Sequence, residues 1–468
     1  MNNKGANKVI RSGIWFTFSN FLMKTIGFIT TPIFTRMLTK SEYGDFNNFQ
    51  TWMMILLYLT SLNLEGSLIR ASHEYKNDFG DYVFSMISLS VISTSIWWIF
   101  CNVFFSKISG LLSVNRIYLN CMFLYLLFCP AVNLFQNAER FKYKYKLTVL
   151  TGMVISVGAS LLSVVLIVIL PDKLFARTIG YIIPTVLIGL IIIMYNFSKH
   201  RKVRLEYWKY ALPITLPYIP HLLSMYLLNS MDRVMIRKFC GANDVALYSL
   251  AYTCGMILTI LVTSVNSAYS PWLAEKLANK EYNDIKKVSV PYVAIFSFLA
   301  MGSVLVTPEI LLILGGKSYM SAKYVMPPVA AGCLLQFVYC MYVNIEQYEK
   351  KTIGMAGASA IASTVNFILN YLFIPRFGYI AAAYSTYIGY FSLLVIHMFL
   401  VHKMKMDFVY NNSKMFVIAV ISSLIMFLGN FILEMNLIRY SILLFYIAVG
   451  LYLFYKYKDV IKKILKGN

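Results

Sequence analysis

The sequence predicts an all-α integral membrane protein with about fourteen spanning helices. They are arranged as two six-helix halves followed by two further helices, with both termini on the cytoplasmic side. Three observations carry this. Hydrophobic residues make up 59% of the 468-residue chain and charged residues only 13%, about half of what a soluble domain carries. Apolar runs of roughly 20 residues, enough to cross a bilayer, recur along the whole chain. The basic residues behind the net charge of +22 collect between those runs, where Lys and Arg set membrane orientation. Binding to a nucleic acid, the other common reading of a strong positive charge, does not suit that placement.

Taken in order, the apolar runs place helices at 13–35, 46–69, 83–105, 117–138, 147–170, 177–197, 211–235, 245–272, 288–314, 325–346, 353–374, 379–401, 414–434 and 438–456. The first follows a short basic segment, MNNKGANKVIR. Its apolar run is longer than the roughly 7–15 residues of a signal-peptide core and has no small-residue cleavage site, so it is expected to be retained. Pro130 and Pro184 fall inside helices and are expected to bend them. The connections are short, and none is long enough for a soluble domain. With the N-terminus cytoplasmic, 28 of the 42 Lys and Arg fall on inside segments and 12 on outside loops, while Lys24 and Arg233 lie within helices. Arg140–Lys146 and Lys199–Arg204 are the densest inside clusters.

Two internal echoes support the division into halves. TRMLTKSEYGDF (35–46) aligns with RKFCGANDVALY (237–248), setting Glu42 on Asp244, Gly44 on Ala246 and Phe46 on Tyr248, 202 positions apart. LPDKLFARTIGYI (170–182) aligns with IPRFGYIAAAYST (374–386), setting Pro171 on Pro375, 204 positions apart. An even number of spans per half makes the repeats parallel, about an axis along the membrane normal. The expected organisation is residues 1–200 as an N-terminal lobe, 201–402 as a C-terminal lobe, and 403–468 as helices 13 and 14 with a basic tail.

Intramembrane charge costs about 2.5–3.5 kcal/mol on insertion scales and needs a reason. Lys24 falls near the middle of helix 1, on a face shared with Gly13, Thr17, Asn20, Gly27 and Thr31. Such a face fits a wet central cavity, although a lysine can also snorkel to the interface or pair within the bundle. In helix 2, Thr51, Tyr58, Ser61 and Glu65 share a face, with Arg70 beyond it; Glu65 has Lys24 and Arg70 as candidate partners. Helix 7 carries Pro213, Pro217 and Pro220, which free backbone carbonyls and invite a kink or a broken helix, as transporters use at moving or binding elements. His221 follows them. Asp232 and Arg233 are adjacent and therefore point about 100° apart, and Arg233 shares a face with Asn229 and Arg237. Ser359, Ser363, Asn366 and Asn370, and separately Gln336, Cys340 and Asn344, form polar stripes of the kind that hydrogen-bond between helices.

Enzyme chemistry finds no support. Gly315–Ser318 looks like the tail of a phosphate-binding loop, but the required first glycine is Leu311. No HExxH, G-x-S-x-G or dinucleotide fingerprint occurs. The seven cysteines are odd in number, lack a C-x-x-C and lie mostly in apolar runs, which excludes a disulfide framework or a zinc site. No metal and no cofactor is expected.

The stretch YALPITLPYIPHLLSMYLLNSMDRVMIRKFCGANDVALYSLAY, followed by VNSAYSPWL (265–273), resembles the middle of the Wzx-type polysaccharide flippases, in the superfamily that also holds MATE exporters and lipid II flippases. PIFTRMLTKSEYGDF (32–46) and LNYLFIPRFGYIAAAYSTYIGY (369–390) are similar to that family's opening and to its eleventh and twelfth helices. The resemblance implies a MATE-like fold with two lobes around a cavity. It implies a polyprenyl-pyrophosphate-linked oligosaccharide as cargo, moved from the cytoplasmic to the outer leaflet for surface polysaccharide biosynthesis. It also implies a bacterial cytoplasmic membrane location, with glycan-assembly enzymes as partners. Under it, Lys24, Arg70, Arg233, Asn20 and Asn229 are the candidate substrate-binding residues. Helix 1 lacks the acidic residue through which MATE relatives couple to ions, which leaves Glu65, Asp232 and His221 as the ion-coupling candidates. The alternatives are a small-molecule exporter of the same fold and, less favoured, a membrane polysaccharide polymerase or acyltransferase.

Overall fold

The computed structural model describes Leu22 and residues 25–141, 145–200 and 202–466. Asn20 and Lys24 lie outside the described residues. The chain is helical throughout, with no strand among the described residues. In chain order the helices are α1 (25–37), α2 (Lys40–Thr60), α3 (Leu68–Glu74), α4 (Phe79–Val103), α5 (Phe105–Leu112), α6 (Arg116–Phe141), α7 (Tyr145–Ile169), α8 (Lys173–Lys199), α9 (Leu205–Thr215), α10 (Ile219–Phe239), α11 (Ala242–Ala278), α12 (Tyr282–Leu305), α13 (Thr307–Gly315), α14 (Met326–Tyr348), α15 (Thr352–Phe377), α16 (Tyr379–Lys403), α17 (Asn412–Ile432) and α18 (Asn436–Lys466). Among the described residues 11 helices are long and apolar enough to cross a membrane, or 12 if the bent pair α2–α3 is one span; α18 adds a shorter apolar stretch, Asn436–Tyr452. This is a multi-pass membrane protein.

Local chemistry explains where the helices depart from the sequence expectation. Helix 2 starts at Lys40 instead of 46 because Thr39 and Glu42 form a capping box: Glu42 N donates to Thr39 Oγ1 at 3.2 Å, and Thr39 N donates to Glu42 Oε2 at 2.7 Å. It then breaks at Leu62 and Asn63, whose φ angles of 53° and 49° are left-handed. A 3-10 turn, Leu64–Ser67, leads into α3 at a bend of 47°. Asn tolerates that conformation, whereas for Leu it costs about 1–2 kcal/mol. Helix 9 ends at Leu305 and not at 314, because Pro308 opens the separate α13. In helix 7 Pro213 lies inside α9, and a 3-10 turn, Leu216–Tyr218, interrupts the α-helix before α10, while Leu205–Phe239 remains one span. Pro130 and Pro184 sit inside continuous α6 and α8.

Packing groups the described chain into two compact units, the first being Met1–Ser249 with Asn366–Ala382. One core of this unit gathers Met53 of α2, Met122, Phe123 and Leu126 of α6, and Ile182 of α8, each fully buried. A second joins Leu64, Leu68, Tyr82, Leu134 and Ala211, and there the Tyr82 hydroxyl donates to Ser67 Oγ at 2.7 Å. Small residues allow close helix approach, as membrane packing requires. A Cβ on Gly180 of α8 would lie 2.4 Å from Ser163 Cα of α7, and one on Gly189 would lie 2.7 Å from Phe128 Cβ of α6. The outer face of α7 exposes Leu150, Val154, Leu161, Val165 and Val168, an apolar belt suited to lipid.

The second unit is Leu250–Val365 with Ala383–Asn468. Its centre is α14, 83% of whose apolar window is buried, against 22% for α7 in the first unit. Phe337 of α14 stacks on Phe296 of α12 at 4.4 Å, and Phe298 of α12 stacks on Tyr446 of α18 at 3.9 Å. The buried Arg439 of α18 forms a two-pronged pair with Glu309 of α13 (both contacts 2.6 Å) and donates to the Leu305 carbonyl at 2.8 Å.

Candidate ion-coupling and gating site

The interrupted helix 7 organises this region. Pro217 and Pro220 occupy the first turns of the 3-10 segment and of α10, where a missing N–H costs nothing. His221 follows the interruption, half-buried, its ring 5.3 Å from that of Tyr218. Further along, Asn229 Nδ2 donates to the Met225 carbonyl of its own helix at 2.8 Å. Arg233 is half-buried, and its Nη1 approaches the Asn229 carbonyl at 3.5 Å.

Asp232 faces another way and is fully buried. Its carboxylate accepts a short hydrogen bond from the Tyr248 hydroxyl of α11 and one of 2.7 Å from Asn370 Nδ2 of α15. The same Asn370 amide reaches Asn366 Oδ1 at 3.1 Å, while the buried Asn370 Oδ1 accepts no hydrogen bond among the described residues. One carboxylate thus ties α10, α11 and α15 together. Burying a carboxylate in this way is costly unless its bonds are well made, and helix–helix contacts that depend on charge state respond to a bound cation or proton. Asn366 and Asn370 were visible in the sequence as a polar stripe. Their meeting with Asp232, 138 positions away from Asn370, was not.

Glu65 belongs to a separate network. It sits in the 3-10 turn after the break of α2 and accepts from Asn137 Nδ2 of α6 at 3.2 Å. It makes no ion pair with Arg70 among the described residues; Arg70 lies exposed on α3. The Tyr58 ring of α2 lies 5.6 Å from that of Tyr226 in α10. Arg177, the first residue of the expected sixth helix, lies inside α8. Its guanidinium stacks at 3.6 Å on the Phe34 ring and 4.4 Å on the Phe46 ring, and it donates to Ser163 Oγ at 2.7 Å.

The first echo acquires a physical meaning here. A Cβ on Gly44 would lie 1.8 Å from the Ala242 carbonyl oxygen and 3.2 Å from the Ala246 nitrogen. Gly44 and Ala246 are the residues that the echo aligns, and α2 and α11 approach each other there. Beside it, Arg237 Nε donates to Asp45 Oδ1 at 2.6 Å. A further echo, unused by the sequence reading, is Asn137-x-Glu139 against Asn344-x-Glu346, 207 positions apart. Asn344 of α14 donates to Asn266 Oδ1 of α11 at 2.8 Å, just as Asn137 of α6 donates to Glu65.

Comparison with known proteins places this geometry. The family described as polysaccharide biosynthesis protein matches residues 9–276, and the MatE family matches residues 217–372. The "Probable low-salt glycan biosynthesis flippase Agl15" of Haloferax volcanii is 24% identical over 397 residues, covering 83% of this chain and 82% of its own. A protein of the Lsg locus of Haemophilus influenzae is 23% identical over 416 residues, covering 85% of this chain and 98% of its own. Among solved structures, the lipid II flippase MurJ in an inward closed conformation shares the fold at a TM-score of 0.69 with 14% identity, covering 96% of this chain and all of MurJ. An inward-facing MATE family multidrug resistance transporter follows at a TM-score of 0.61 with 16% identity, covering 82% of this chain and 95% of its own. The chain therefore belongs to the polysaccharide biosynthesis protein family.

Proposed function

We propose that this protein is a flippase that carries a polyprenyl-pyrophosphate-linked oligosaccharide from the cytoplasmic to the outer leaflet by alternating access, coupled to a cation or proton at Asp232. The observation that carries the coupling is the fully buried Asp232 carboxylate, bridged by Tyr248 and Asn370 across α10, α11 and α15. Loading it changes the charge at the meeting point of three helices and so biases how they pack. Glu65 and His221 are the reserve coupling groups. The cargo reading is supported by family membership and by relatives that bear glycan-flippase names.

A pyrophosphate headgroup cannot enter hydrocarbon unaided. Lys24, Arg70 and Arg233, with Asn20 and Asn229, would meet it in a cation-lined cavity while the prenyl tail stays in lipid. Residues 1–200 and 201–402 act as the two rocking lobes, residues 403–468 as an addition, and both termini face the cytoplasm of a bacterial cell. The contact at Gly44, Ala242, Asp45 and Arg237 closes one end of the path and must part when that end opens. Glycan-assembly enzymes are the expected partners, and no catalytic step belongs to the chain.

The test is deletion of the protein followed by leaflet-specific labelling of the lipid-linked glycan. Cytoplasmic accumulation, reversed by the wild type but not by Lys24→Ala or Asp232→Asn, supports the reading. Normal arrival at the outer leaflet, with no redundant flippase in the cell, overturns it. The MatE match over residues 217–372 favours a second reading, export of small molecules; accumulation of labelled drugs in deletion cells, with glycan export intact, would establish that one instead.

A further inference from the structure

The second unit holds a buried titratable pair that the proposed mechanism does not use. Glu346 of α14 and His397 of α16 have side chains only 1% and 3% exposed, and His397 Nδ1 lies 2.7 Å from Glu346 Oε1. The other carboxylate oxygen, Oε2, is buried and has no hydrogen-bond partner among the described residues. The His397 ring stacks on that of Tyr339, seven residues before Glu346 on α14 and so on the same face of that helix.

We propose that Glu346 and His397 form a proton-binding site of the second unit whose occupancy changes during transport; the transport part rests on the flippase reading above. With one proton shared between them the pair carries a net negative charge, and with a second it is neutral. A net charge in so dry a place is expensive, so a change in the hydration of α14 or α16 moves a proton on or off. The proton comes from water and returns to it, and only an N–H or O–H bond of the pair forms or breaks.

The surroundings leave the pair to itself. Around it the buried titratable groups are Tyr339 and Tyr342 of α14, Tyr390 of α16, Tyr269 of α11 and Tyr410 beyond the 3-10 turn at Asp407–Val409. The charged groups of the neighbouring elements are Glu349, Lys350 and Lys351 after α14, Glu275 of α11, Lys286 and Lys287 of α12, Lys403 of α16 and Lys414 of α17, all exposed, and the half-buried Lys276 of α11 and Asp284 of α12, which pair with each other at 3.2 Å. Asp407 is paired with the exposed His402.

Glu346 has its counterpart in Glu139, also buried, yet α8, the sixth helix of the first half, contains no histidine. The two halves also differ at the neighbouring amide bond, where the first half places Glu65 and the second the neutral Asn266.

The experiment uses the full-length protein in nanodiscs with ¹⁵N-labelled histidine, the His397 signal being assigned by its loss in His397→Asn. Carboxyl infrared difference spectra are recorded alongside. The expected result is uptake of one proton by the pair between about pH 8 and pH 5, seen as an imidazolium or as a protonated carboxyl band, with Glu346→Gln shifting the His397 step at least tenfold in proton affinity. A pair that holds one protonation state across that range overturns the proposal, and this measurement needs no variant to fold. In proteoliposomes, the pH profile of glycan-lipid transport flattens at least threefold in Glu346→Gln. A profile unchanged from wild type overturns the transport role. A titrating pair in a wild-type protein that moves no glycan supports the proton site and counts against the flippase reading.

Discussion

Gly44→Ala tests the closed contact between α2 and α11 most directly. The new Cβ would stand 1.8 Å from the Ala242 carbonyl oxygen, where a carbon and an oxygen normally approach no closer than about 3.3 Å. The neighbour is backbone, so no rotamer change relieves the overlap, and the two helices must separate by about 1.5 Å. That movement would stretch the Asp45–Arg237 contact from 2.6 Å beyond hydrogen-bond range. Overpacking of this kind costs about 1–3 kcal/mol. The half-buried ion pair adds roughly 0–1 kcal/mol. A total of about 1–4 kcal/mol corresponds to a shift of about 5- to 900-fold between two conformations. Pulsed electron-spin distances between labels at Ser41→Cys and Asn243→Cys, both exposed positions, would read it in nanodiscs. The expected outcome is a single short distance in the parent and a dominant longer one in the variant, with slower glycan transport. An unchanged distance distribution together with an unchanged melting temperature would refute the reasoning.

Other expected outcomes follow from single contacts. Asp232→Asn should keep the fold within about 1 kcal/mol, because the amide retains an acceptor, but should abolish the ion dependence of transport; Asp232→Ala should cost about 1–3 kcal/mol for each donor left unsatisfied, read by thermal unfolding. Glu309→Gln should leave the buried Arg439 without its counter-charge and lower stability by about 2–4 kcal/mol, somewhat below the usual cost of breaking a buried pair because Glu309 is partly exposed. Burial pushes the Glu309 carboxyl up, but hydrogen bonds from Arg439 and Tyr440 outweigh it and hold it below the ordinary glutamate value. That contribution is therefore full above the ordinary value and is lost as pH falls through the depressed one, so melting temperatures of wild type and Glu309→Gln should converge in acid. Lys405→Gly, at an exposed left-handed position with φ 58°, should be neutral or raise stability by up to about 1 kcal/mol, read by the same melts.

Much of the architecture was legible in the residues, because a membrane reduces helix placement to a local question. A run of roughly 20 apolar residues must be helical to satisfy its own backbone. The proline-rich interruption of helix 7 was visible for the same local reason. The boundaries that moved did so on signals that were also in the chain, the Thr39–Glu42 capping box and Pro308 at a helix start. Nothing local announced the left-handed Leu62.

The candidate site divided differently. Sequence alone identified Asp232 and Glu65 as anomalies, since a carboxylate inside an apolar run is conspicuous by itself. It did not supply their partners. Asp232 meets Asn370, and Glu65 meets Asn137 with no ion pair to Arg70 among the described residues. Glu346 and His397 went unnoticed because each lies near a helix end, where a polar residue looks interfacial. Charge and hydropathy are properties of single residues and short windows, so the sequence determined the class of protein, its spans and its family. A hydrogen bond between side chains 51 or 138 positions apart depends on which helix faces meet, and that is set by the packing of many apolar and small residues at once. Only the tertiary structure decided it.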